Sequence, residues 1–90
     1  MNTIEVTRIG REELAVIDGL PMIVIYEKPL DFPDKYVARL WNICGGDGRP
    51  TEVAVTGETL DEIRGKIPFQ TMIPIGRFTE DDPHVVEVWI

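Results

Sequence analysis

Ninety residues, 43% of them hydrophobic, supply one hydrophobic core and leave no room for a second, so residues 1–90 form a single small domain. A net charge of −7 repels nucleic-acid phosphates and anionic lipid, which argues against direct contact with nucleic acid or a membrane surface. The one cysteine, Cys44, excludes an internal disulfide framework and a cysteine-rich zinc site.

The opening residues lack the basic region and apolar run of a secretory signal. No apolar stretch approaches the roughly 18–20 residues needed to cross a bilayer. The expectation is a cytoplasmic protein. At this length folding buries only about 60–65% of the unfolded chain's surface, so a monomer would be modestly stable and association is an open question.

Along the chain, Ile4 and Val6 alternate with Glu5 and Thr7, the period of a half-buried strand. Two apolar runs follow, 14–17 and 22–26, rich in β-branched residues and separated by Asp18-Gly19. Asp-Gly is a strong hairpin signal because both residues tolerate positive φ, and it favours a hairpin here. The rival reading is a short helix over 11–18 ended by Gly19. Residues 28–34 carry Pro29 and Pro33 and read as a connection, since each proline moves the preceding residue away from helix.

Residues 36–43 read as a strand with apolar side chains on both faces: Tyr36, Ala38 and Leu40 on one, Val37, Trp41 and Ile43 on the other. Gly45-Gly46-Asp47-Gly48 is a turn by composition, and 52–56 is the next strand. Thr59 and Glu62 have the spacing of a capping box, in which each side chain satisfies an otherwise unpaired backbone N–H. Asp61 and Glu62 sit at the positive end of the resulting helix dipole, Arg64 and Lys66 at the negative end, and Pro68 forbids continuation. Leu60, Ile63 and Ile67 form its apolar stripe.

Residues 69–78 are apolar but broken by Pro74 and Gly76, which suits an irregular edge strand. Residues 80–83 form a turn, and 85–90 close the chain as a strand. The sum is α+β: one mainly antiparallel sheet of five to six strands with one short helix on one face.

The candidate chemistry is sparse. Cys44 would need a base to act as a nucleophile, and the only histidine is His84. A lone cysteine at a strand end is more often a small core side chain. Glu80, Asp81, Asp82 and His84 are ligand types for a divalent cation, but Asp-Asp-Pro is also ordinary turn chemistry and the calcium-loop spacing is missing. The glycine run at 45–48 lacks the residues that follow in phosphate-binding loops. No metal, cofactor or catalytic residue is expected.

The tryptophans offer more. Trp41 shares a strand face with Arg39, and strict alternation puts Trp89 with Val85 and Glu87. The opposite face of the last strand, Val86, Val88 and Ile90, is uniformly β-branched and makes the better core face. An open sheet face bearing Arg39, Trp41, Val85, Glu87 and Trp89 would have interface composition, tryptophan being enriched at hot spots. The alternative, that one or both tryptophans are core, stands beside it.

Three stretches carry a resemblance. They are Ile25-Tyr26-Glu27-Lys28-Pro29 with Tyr36-Val37-Ala38-Arg39-Leu40-Trp41, then Thr59-Leu60-Asp61-Glu62-Ile63-Arg64, and Asp81-Asp82-Pro83-His84-Val85-Val86-Glu87-Val88-Trp89. Together, over about residues 22–90, the chain resembles a family of short uncharacterised bacterial proteins of anaerobic Gram-positive type. That resemblance implies a small bacterial accessory protein and brings no activity, substrate or cofactor with it.

The sequence therefore favours a cytoplasmic interaction protein that forms a homo-oligomer through a sheet face or its terminal strand. An acidic inhibitor of a basic, nucleic-acid-binding partner is the alternative, though acids and bases interleave too evenly to favour it. A small enzyme is disfavoured because no acid–base or nucleophile–base pair is legible.

Overall fold

A computed structural model describes residues 3–75 and 83–90. In chain order the elements are β1 (Ile4–Glu5), α1 (Arg11–Ala15), β2 (Leu20–Glu27), β3 (Tyr36–Cys44), β4 (Asp47–Gly57), α2 (Leu60–Arg64), a 3-10 turn (Phe69–Thr71) and β5 (Val85–Trp89). The strands form one five-stranded sheet in the order β1-β4-β3-β2-β5. The α+β class is as expected. The sheet is mixed, because β1 pairs in parallel with β4, and there are two short helices rather than one.

The second helix is the main departure. Residues 11–15 are helical, so the hairpin expected across Asp18-Gly19 does not form and the rival helix does, though it is shorter than 11–18. The Gly10 N–H donates to Glu13 Oε1 at 2.7 Å, which satisfies one first-turn donor. Leu14 and Ile17, three residues apart, both pack on the core, while Val16 between them is exposed. A strand would have put Leu14 and Val16 on one face instead.

Gly19 has a different use from the one Asp-Gly suggests. Positive φ among the described glycines is confined to Gly45 and Gly46. At Gly19 a Cβ would collide with the carbonyl oxygen of Ile43 and stand 2.7 Å from Asn42 Oδ1, to which the Gly19 N–H donates at 2.9 Å. The glycine lets the chain pass tightly against β3 as it enters β2.

Gly45 and Gly46 (φ 62° and 88°) close β3 onto β4 as a two-residue turn of the twist that suits a hairpin. The β3–β4 register then shifts between Arg39 and Trp41, which face Ala54 and Pro50. There the Thr51 hydroxyl takes over ladder duty: it donates to the Leu40 carbonyl at 2.7 Å and accepts from Val53 N–H at 3.2 Å.

α2 begins where the capping residue places it. Thr59 Oγ1 accepts from Glu62 N–H at 3.1 Å. The return bond misses Thr59 by one residue, since Glu62 Oε2 accepts from Glu58 N–H at 3.2 Å. The helix stops at Arg64, and Ile67 reaches the core from the turn that follows. The core joins Ile23 and Ile25 of β2, Ala38 and Leu40 of β3 and Val55 of β4 to Ile9, Ile63, Ile67 and Met72, with Leu14, Ile17 and Leu60 at its margin. Both helices thus lie on one sheet face.

The irregular edge strand expected over 69–78 is present in part. Residues 69–71 are 3-10, and the chain then runs along β5: Ile73 and Ile90 exchange backbone hydrogen bonds at 2.6 and 2.9 Å, and Ile75 N–H donates to Val88 at 2.8 Å. Residues 76–82, which hold all but Pro83 of the turn expected at 80–83, lie outside the described residues.

Two substitutions test this account. Gly19→Ala should destabilise the fold by about 3 kcal/mol, because backbone rather than a flexible side chain occupies the space; an unchanged urea midpoint would contradict the close approach. Thr59→Ala should cost about 0.5–2 kcal/mol and Thr59→Gly less, since only the side-chain acceptor is lost. Equal stability of wild type and Thr59→Ala would place the helix start elsewhere.

Candidate functional site

The sheet has a face that the helices cover and a face that they do not, and the predicted interface residues divide between them. The cause is an irregularity in β5. Its register with β2 runs Trp89 to Ile23, Val88 to Val24 and Glu87 to Ile25, then skips to Val85 opposite Tyr26. Val86 is the extra residue of a bulge, which reverses the facing of everything before it. Val86 and Trp89 pack against the helix-side core, whereas Val85 and Val88 join Val24 on the other face. The expected core face of Val86, Val88 and Ile90 is therefore not the one formed, and Trp89 does not share a face with Val85.

Trp89 and Glu87 belong instead to a clamp between sheet and helix. The Trp89 indole N–H donates to Glu87 Oε1 at 3.0 Å. Arg64 of α2 meets the same carboxylate with two nitrogens: Nε donates to Oε1 at 3.2 Å and Nη2 to Oε2. The hydrogen bond from Arg64 holds the Glu87 carboxyl below its ordinary value of 4.5, opposed by partial burial and assisted by the Trp89 N–H and the Arg64 charge. The same hydrogen bond raises Arg64 further above its already high value. These two residues hold α2 against β5.

Arg39, Trp41 and Val85 lie on the other face. That face is closed at one end. Arg39 is 8% exposed. Its guanidinium donates to the Thr51 carbonyl at 3.0 Å and to Thr3 Oγ1 at 2.9 Å, and lies 3.4 Å from Asp31 Oδ2. Asp31 belongs to the connection between β2 and β3, which bends over the sheet here; Val37 and Ala54 beneath it are fully buried.

The other end is open. Leu20 pairs with Ile43 and Met22 with Trp41, so these four share the face. The pairing of Ile73 with Ile90 adds both of those residues to it, beside Val88. Leu20, Ile73 and Ile90 are 69%, 67% and 47% exposed. The indole N–H of Trp41 is buried and has no acceptor among the described residues. Sequence reasoning missed Leu20, Met22, Ile73 and Ile90 because which face they occupy follows from the pairing of strands remote in the chain.

The remaining candidates separate. Cys44 follows Ile43 beside Leu20 at the start of β2, and the carbonyl of His84 accepts from Glu27 N–H at its end. Seven residues of strand, roughly 23 Å, lie between them, so the two do not meet. Among the described residues no three His, Cys, Asp or Glu side chains gather in a way that could hold a metal; Glu80, Asp81 and Asp82 lie outside them. No described helix is long and apolar enough to cross a membrane.

No family model, curated protein or solved structure matches this chain.

The clamp makes a pH prediction. A carboxyl whose value is lowered by folding contributes stability above its ordinary range and loses that contribution as pH falls through its folded value. Glu87→Gln should lower the urea midpoint at neutral pH, and the gap from wild type should close on acidification below about pH 4.5. A gap that stays constant across that range would show that the carboxylate charge is not what matters.

Proposed function

We propose that this protein is a small cytoplasmic bacterial accessory protein that works through self-association. The carrying observation is the open end of the uncovered sheet face, where Leu20, Ile73 and Ile90 stand exposed beside Met22, Trp41 and Ile43. A contiguous apolar patch is a costly surface for a small chain to leave in water and marks an association site more often than chance. Its high charge content lies elsewhere, so solubility of the single chain and adhesion between chains use different parts of the surface. The bacterial setting rests on the sequence resemblance alone.

Light scattering of the purified protein over a micromolar concentration series tests this reading. More than one chain per particle is expected, with mass rising to a plateau as a closed oligomer forms. The mass of a single chain at every concentration would overturn it.

A further inference from the structure

We infer that the occupant of the open end is a second copy of the same chain, packed face to face through Leu20, Met22, Trp41, Ile43, Ile73 and Ile90. This rests on the self-association reading above and specifies its surface. The first argument is charge. Two chains that each carry −7 repel one another overall, and a contact made where neither presents an ionisable group keeps like charges furthest apart and desolvates none. Among the described residues the open end is such a place: the strand positions on this face there are these six and Ile75, which pairs with Val88, with Gly48 and Pro50 of β4 opposite Ile43 and Trp41. The charged residues that strand pairing and hydrogen bonding place on the same face, Arg39, Glu5 and Asp31, lie at the closed end, where Arg39 is buried.

The second argument is that the sheet's edges resist strand pairing. The outer edge of β5 is already taken by the segment 73–75, where Pro74 pairs with Trp89. Because Ile73 and Ile75 turn their backbone groups toward β5, position 74 turns its own outward, and proline has no N–H to offer there. The opposite edge ends in the two-residue β1, beside the Pro50 and Thr51 irregularity of β4. Strand pairing through residues 88–90 of the terminal strand is thereby opposed, and packing of faces is the route left to this end of the sheet.

Third, an apolar face without charges is complementary to itself, which a two-fold contact requires. A specific contact needs on the order of 1,000 Å² in total, about 500 Å² from each copy, the scale of a patch of six large apolar side chains.

The test compares oligomeric mass for wild type, Leu20→Lys, Ile73→Lys and the control Leu30→Lys by sedimentation, with far-ultraviolet circular dichroism confirming the fold of each. Leu20 and Ile73 are exposed enough to accept lysine without disturbing the core. Leu30 is 91% exposed but sits on the β2–β3 connection at the closed end. Leu20→Lys and Ile73→Lys should each weaken association at least tenfold and together give single chains, while Leu30→Lys leaves the mass of wild type unchanged. An oligomeric wild type whose mass survives the double substitution, or falls only with Leu30→Lys, overturns the proposed surface and leaves self-association standing. A wild type that is a single chain overturns both and gives the face to a different protein.

Discussion

Among the described residues two α-helices of five residues each cover a five-stranded sheet, and both pack on the same side. Everything else about the molecule follows from that shortage. Isoleucines of β2, alanine and leucine of β3 and valine of β4 face Ile63 and Ile67 across one well-packed layer. Among the described residues no helix meets the reverse face. A domain of this size buries too little surface to leave a whole sheet face in water without cost. The protein brings the connection that carries Asp31 against one end of that face and leaves the other end apolar and open.

The bulge at Val86 decides which residues meet which layer. Without it, strict alternation would send Trp89 away from the helices and Val88 toward them. With one residue left over, Trp89 turns inward and brings Glu87 with it, so that Arg64 can grip the carboxylate from α2. A bulge is a backbone event, yet its consequence is chemical: it converts a tryptophan with interface composition into part of the core and a glutamate into the anchor of a helix. Trp41, on β3 and not subject to that shift, stays on the uncovered face, half-buried.

The edges show the same economy. A β-rich chain that ends in Val85-Val86-Glu87-Val88-Trp89-Ile90 carries a segment prone to pair with others. Laying residues 73–75 along it pairs the backbone of Val88 and Ile90 and presents a proline to solvent. The result is a sheet whose β5 edge is partly covered and whose uncovered face is apolar at one end.

Local sequence determined the parts of this protein whose physics is local. Thr59 accepts a first-turn N–H whatever surrounds it, two glycines in a row turn β3 into β4, and alternation along 36–43 assigned Tyr36, Ala38 and Leu40 to one face and Val37, Trp41 and Ile43 to the other. The α+β class followed from those pieces. Where a residue's role depends on a remote neighbour, the local signal misled. Asp18-Gly19 looks like a hairpin turn, but Gly19 is there because the Ile43 carbonyl passes too close for a side chain. Alternation in 85–90 looks unbroken, but its pairing with β2 accommodates an extra residue. β1 reads as one more strand, and only its partner, β4, makes the pair parallel. The open patch belongs to this second kind: Leu20, Trp41, Ile73 and Ile90 are far apart in sequence, and only strand register and helix placement gather them on one uncovered face.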